Sequence, residues 1–387
     1  MGMRRILVAV LLASVALPFH VIASPGDQAR ARAMASFDQR DGAKITIDRQ
    51  LIEAEWERAP FDPLPFTFTF DEIREKWPHL MRGLEIAYPS PEYLADRYQR
   101  FPEIMHDLGY FDADWEMHSL HVLEVWQAFF RGDFRKARDL GIRYGGFAQV
   151  PGVFAQLMQA LYLTRSEQVK QMLLQDAIDR IQVYAQAAPF LPGEPEYHAD
   201  YVTFRLGFAY AVGRLAEDVP VPVMLANGYA PMVINAAAEA LAVQPDHALI
   251  LALNAAFDAN VIRRVGKAAG RLTFATQPIN AGEMFSRAVE SAGDMAIIRY
   301  EYANSLLYME QARETEEAIR QLQAGVAAKP SFSMEALDVL YAGKRLAEVQ
   351  ALQDSGMSFR AFDRARRRHM ERSGENLYSV LLPPFKP

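Results

Sequence analysis

Apolar residues along the chain recur with a helical period instead of alternating. Val233, Ala237, Ala240 and Leu241 fall on one stripe of a predicted helix that stops at Pro245, and the chain then turns through Asp246-His247-Ala248. Positions three and four apart share a helical face, and proline ends the helix because it lacks the amide donor. The same outline occurs three more times. Ala177, Ile181 and Tyr184-Ala185 precede Pro189; Ala281, Phe285 and Ala288 precede Gly293; Ala318, Leu322 and Gly325 precede Pro330. In every copy the spacing from the first alanine or valine is four, seven and twelve residues. Alanine on such a stripe lets helix axes approach closely. A single hairpin cannot cover its own apolar face, so stacked neighbours must supply the core. The pattern predicts an all-α chain, an α-solenoid of degenerate helical hairpins.

The N-terminal half is less regular. Residues 45–59 read as a short extended piece and then a helix with Leu51, Ile52, Trp56 and Ala59 on one side. Phe66, Phe68 and Phe70 alternate with threonines, which predicts an extended segment laid along helices. Ser90-Pro91-Glu92 combines an N-cap serine, a first-turn proline and an acid beside the helix dipole. That helix should run to about residue 108, with a break at Phe101-Pro102. A second long helix covers 115–132, and residues 333–349 predict a later one. The chain thus divides into 1–23, an aromatic-rich region 24–114, a repeat array 115–350, and a basic C-terminal helix with an apolar tail, 351–387.

Composition narrows the class. The 387 residues are 51% hydrophobic and 23% charged, which suits a globular chain. A formal charge of −7 argues against nucleic acid as a partner. Arg4-Arg5, an apolar run over 6–19 and a small Ala23 before Ser24-Pro25 have the three-part layout of a secretory signal peptide. The run is shorter than the roughly 20 residues a membrane span needs. The chain has no cysteine, which closes the route to lipid anchoring through a processed N-terminal cysteine and leaves no disulfide. A periplasmic or secreted protein is expected.

The junction Gly132-Asp133-Phe134-Arg135-Lys136-Ala137 and the signature Leu206-Gly207-x-x-Tyr210 resemble tetratricopeptide repeats. That resemblance makes Ala177, Pro189, Gly207, Ala237, Ala240, Pro245, Ala281, Phe285, Ala288, Ala318 and Pro330 packing positions of hairpins. The repeat length departs from the usual roughly 34 residues. Pro189 to Pro245 spans 56 residues and Pro245 to Gly293 spans 48. Inserted loops are therefore expected at 216–231 and 262–277, where a solenoid often carries its binding face. Residues 201–346 also resemble the periplasmic T-component associated with TRAP (tripartite ATP-independent periplasmic) transporters. The shared features are Ala240-Leu241 through Pro245-Asp246-His247, and Phe285, Ala288, Tyr302 and Ala303. Known members are often lipid-anchored, and this chain lacks the cysteine for it. The resemblance implies a pore or groove for a small, apolar or acidic ligand.

Candidate chemistry is sparse. His118, His121 and Glu124 follow at three-residue steps, with Asp112 and Asp114 nearby, as weak metal candidates. No HExxH pattern supports them, and structural histidines are the expected role. No nucleophile motif or phosphate loop occurs. Arg263, Arg264, Lys267 and Arg271 form a compact basic stretch suited to holding an anion through guanidinium contacts. Arg360, Arg364, Arg366, Arg367, Arg368 and Arg372 make the C-terminal helix a candidate for contact with a membrane surface. The expected function is a non-catalytic scaffold or binding protein without a cofactor. It would engage a protein partner or small ligand through the repeat groove and inserted loops. The alternatives are a TRAP-type accessory component and a metal-dependent enzyme.

Overall fold

The computed structural model describes residues 45–61, 66–107, 114–217, 219–274, 276, 278–309 and 314–386. The expected signal segment and Asp112 lie outside the described residues. Eighteen α-helices and no strand occur among the described residues, and one isolated antiparallel bridge joins Ser166 and Glu375. The chain is all-α.

The N-terminal helices are α1 (Arg49–Ile52), α2 (Phe70–Leu80), α3 (Pro91–Arg100), α4 (Pro102–Asp107), α5 (Trp115–Arg131) and α6 (Phe134–Tyr144). Local chemistry explains their ends. Thr69 and Glu72 form a reciprocal capping box on α2, and Ser90 accepts the amide of Tyr93 at 3.1 Å before Pro91. The chain breaks between α3 and α4 at Phe101, where Pro102 disfavours helical backbone in the preceding residue. Gly132 closes α5 with φ 90°, a left-handed conformation that glycine adopts without a Cβ penalty. Residues 66–69 form neither helix nor strand, Thr69 is extended, and Phe68 packs edge-on against Phe130 of α5.

From α7 (Gln149–Met158) onward, helices pack in successive pairs. A π-helical turn, Gln159–Leu163, continues α7, which packs on α8 (Glu167–Ala187). Next come α9 (His198–Ala216) with α11 (Tyr229–Val243), and α12 (Ala248–Val265) with α14 (Pro278–Ala292). The last pair is α15 (Ala296–Met309) with α16 (Glu314–Val326), followed by α17 (Ser333–Ser355) and α18 (Phe359–Ser373). The four copies of the pattern lie on α8, α11, α14 and α16. Ala177, Ala237, Ala240, Ala281, Phe285, Ala288, Ala318 and Leu322 are all fully buried. Pro189, Pro245 and Pro330 sit just past the helix ends. Gly207 of α9 is buried beside Ile181 and Phe154.

The segments 216–231 and 262–277 are not plain loops. They carry the short helices α10 (Val221–Ala226) and α13 (Lys267–Phe274). Apolar burial explains the difference: Phe274 packs with Ala230, Ile234 and Val261, and Leu225, Phe257 and Val265 close around them. Both inserted segments thereby meet in one satellite cluster.

The chain also turns back on itself. Phe332 packs on Phe129 and Phe130, and Ser333 donates to the Phe129 carbonyl at 2.7 Å. The apolar tail lies on the π-turn. Asn376 donates from its side-chain amide to the carbonyls of Ala160, Leu161 and Thr164 at 3.1, 3.0 and 2.7 Å. The Val380 amide donates to the Tyr162 carbonyl at 2.8 Å. A π-turn shifts carbonyls out of α-helical register, and the tail supplies the donors they need.

Candidate functional site

A cavity of about 130 Å³ lies between α9, α12, α15 and α17, with Phe154 and Met158 of α7 contributing to its wall. Each of these four helices presents one stripe to it. On α9 the stripe runs from Leu206 through Ala209, Tyr210 and Gly213 to Arg214, with Glu217 just beyond the helix end. On α12 it comprises Leu249, Ala252, Leu253, Ala256, Phe257 and Asn260. Ile297, Ile298 and Glu301 come from α15, and Met334 and Asp338 from α17. The spacing is three and four residues throughout, so each stripe is one helical face. Ala209, Gly213, Ala252 and Ala256 give the wall small side chains where larger ones would take up the space.

The wall is apolar along most of its length and charged where the stripes end. Arg214 bridges two carboxylates: Nη1 reaches both oxygens of Glu217 at 3.2 and 3.1 Å, and Nη2 contacts Glu301. Asn260 adds a hydrogen bond to Glu217 at 2.9 Å, and the guanidinium carbon lies 5.0 Å from the Tyr210 ring centroid. Burial opposes the charge on Arg214, but Glu301 and Glu217 hold it protonated. Asp338 accepts from the Tyr162 hydroxyl at 2.8 Å. Burial pushes its carboxyl up to about 8 despite that hydrogen bond, and the Glu335 and Glu301 carboxyls add to the effect. Burial thus favours the neutral form of the Asp338 carboxyl. Such a wall can hold an apolar body and read one polar group at its end. Among the described residues that line it there is no Ser, Thr, Cys, Lys or His.

No protein-family model matches the chain, and neither curated proteins nor solved structures give a match.

The residues singled out from the sequence lie elsewhere. The Arg263 side chain is 4% exposed and pairs with Asp363 at 3.3 Å, donates to Asn260 at 3.1 Å and stands over the Tyr308 ring. Arg264 donates to the carbonyls of Ala216 and Glu217 at 2.5 and 3.0 Å, and also to that of Val219. These two arginines fasten the C-terminal end of α9, where helix carbonyls lack partners. Lys267 and Arg271 are exposed on α13. The structure therefore brings Arg263 and Arg264 together on internal acceptors and leaves the other two cations on an outer surface. Leu272 and Ile279 near them are 84% and 66% exposed.

His118 is fully buried, 2.9 Å from the Tyr98 hydroxyl, and burial with His121 nearby pulls it down to about 4. His121 stacks on Tyr144 at 4.0 Å, whose hydroxyl donates to Glu124 at 2.7 Å; Lys136 lies 3.3 Å from Glu124. Asp114 caps α5 by accepting the Met117 amide at 3.1 Å. Among the described residues no group of three His, Cys, Asp or Glu is placed to hold a metal ion. On α18, Arg366 is buried while Arg360, Arg364, Arg368 and Arg372 are exposed. No helix among the described residues is long and apolar enough to cross a membrane.

Sequence inspection missed Arg214, Glu217, Glu301 and Asp338. One signal was present. Glu301 interrupts the apolar AIIRYEYANSLLYM of α15, and a charge on a buried helix needs a partner or a function.

Proposed function

We propose that this chain is a non-catalytic binding protein built as a solenoid of degenerate tetratricopeptide-like hairpins, and that it holds a small, mainly apolar ligand in the interior cavity. The observation that carries this is the cavity itself, walled by the inner stripes of α9, α12, α15 and α17 and closed by a charged end. Its volume is similar to that of the engineered apolar cavity of about 150 Å³ that takes benzene. The repeated four-seven-twelve spacing and the burial of its alanines support the hairpin register. Calorimetric titration with small aromatic hydrocarbons tests it. Micromolar to millimolar binding is expected in the native chain, and loss of it in Ala256→Trp, whose ring would occupy the void. Unchanged binding in a folded Ala256→Trp would remove the cavity from the function.

A role beside a TRAP-type transporter is the second reading. It is favoured by one observation: all but three cavity-lining residues, Leu84, Phe154 and Met158, fall in the 201–346 span that resembles the T-component. Transporter-subunit genes adjoining this one would support that role, and their absence would count against it. Export from the cytoplasm by the N-terminal segment belongs to the same proposal, and N-terminal sequencing of secreted protein checks it.

A further inference from the structure

Arg214 is the cation at the charged end of the cavity, and it is already committed to Glu217 and Glu301. Asp338 is not among the groups that Arg214 bonds. It is 4% exposed, lines the same cavity, and among the described residues has Tyr162 as its one hydrogen-bond partner and no ion-pair partner. One guanidinium thus serves a pole with three carboxyl groups. Burying a carboxylate without a cation is costly, so Asp338 favours its neutral form until a cation stands beside it.

We propose that the ligand of this cavity is a cationic amphiphile, with an apolar body along the α9 and α12 stripes and an ammonium group paired with Asp338. The inference rests on the cavity being a ligand site, as proposed above. The apolar stripes lead to the charged end, so one elongated molecule reaches both. An anionic head is disfavoured, since Arg214 is already paired and the Glu217 and Glu301 carboxylates would repel it. The ionisable groups facing Asp338 are Tyr162 from the π-turn, Tyr210 and Arg214 from α9, Glu301 from α15 and Glu335 from its own helix. In the free protein burial favours the protonated form of Asp338. An arriving ammonium favours the carboxylate, so that proton leaves to bulk solvent and an ion pair replaces a neutral acid.

Calorimetry on the full chain with butylbenzene and phenylbutylamine at pH 7, in buffers of different ionisation enthalpy, tests this. The amine should bind about tenfold more tightly than the hydrocarbon or better, with release of a large fraction of one proton. Asp338→Asn, which keeps the volume, should lose both the advantage and the proton release while retaining butylbenzene. Equal affinity of the two probes for the native chain would overturn the cationic assignment and leave the cavity reading standing. Failure of both probes to bind would overturn both. An advantage retained in folded Asp338→Asn would overturn the role of Asp338. Should that variant not fold, the proton count on the native chain decides: binding of the amine without proton release rejects the pairing.

Discussion

Alanines in two parts of this molecule do opposite things. Ala237, Ala240, Ala281 and Ala288 sit on α11 and α14, fully buried in the seams between helices, where a methyl group lets backbones come close. Ala209, Ala252 and Ala256 sit on the first helices of the pairs and line the cavity, where the same methyl group leaves room. At the seam a small side chain is matched by a neighbour that fills the space. At the cavity, small residues of α9 and α12 line a space that no side chain fills. A residue type thus carries no meaning for packing until its opposite face is known.

The largest expected effect is at the charged end. Arg214→Leu would strand Glu217 and Glu301 without their cation, and breaking a buried ion pair from one side costs about 3–5 kcal/mol. Denaturant unfolding should show it; a loss under ~1 kcal/mol would mean the pole is wet and its charges screened. Next is Ala240→Trp, which overpacks the seam and should destabilise by about 1–3 kcal/mol. Ala256→Trp should cost clearly less, because the void takes the ring. Equal melting temperatures for the two variants would erase the contrast between seam and cavity.

A smaller effect concerns pH. Asp338 has a folded pKa of about 8 and an unfolded one of about 3.9. Between these values the folded chain holds a proton that the unfolded chain has lost, so the neutral acid's contribution to stability fades as pH rises. His118 and His247, both lowered to about 4 by burial, act in the opposite sense below their unfolded value of about 6.5, where falling pH destabilises. Between about pH 6.5 and 7.5 Asp338 should dominate, because nearer pH 8 the buried Lys344, itself lowered to about 8, begins to act in the opposite sense. The melting temperature of the native chain should fall across that window, and that of Asp338→Asn should be flatter. Matching slopes would reject the assignment. The smallest effect is at Gly207. An added Cβ would meet Ile181 and Phe154 at 3.6 and 3.7 Å, ordinary contact distances. Gly207→Ala should leave stability unchanged or raise it by up to ~1 kcal/mol through helix propensity.

Much of the helical frame was legible because its signals are local. Ser90-Pro91, Phe101-Pro102 and Gly132 act through backbone conformation within a few residues, and they bound helices where expected. The buried stripes of α8, α11, α14 and α16 follow from helical period and the prolines beyond them. The segments 216–231 and 262–277 were expected as loops, and their short helices depend on apolar contacts of Phe274 with Ile234 and Val261, which local sequence does not reveal.

The site was legible only in fragments. Four cations within ten positions, Arg263 to Arg271, look alike in sequence. Docking of α18 puts Asp363 beside Arg263, the end of α9 takes Arg264, and Lys267 and Arg271 are left outside. Arg214, Glu301 and Asp338 lie on three helices, and no local rule relates them. By itself the sequence determined an all-α chain, the ends of helices marked by proline, glycine or an N-cap, and which faces are apolar, since those depend on backbone geometry over a few residues. Which apolar faces meet a filling neighbour, which enclose a void, and which charge lacks a partner were decided by tertiary packing. Burial and pairing are properties of what stands opposite, and that is set by helices far apart along the chain.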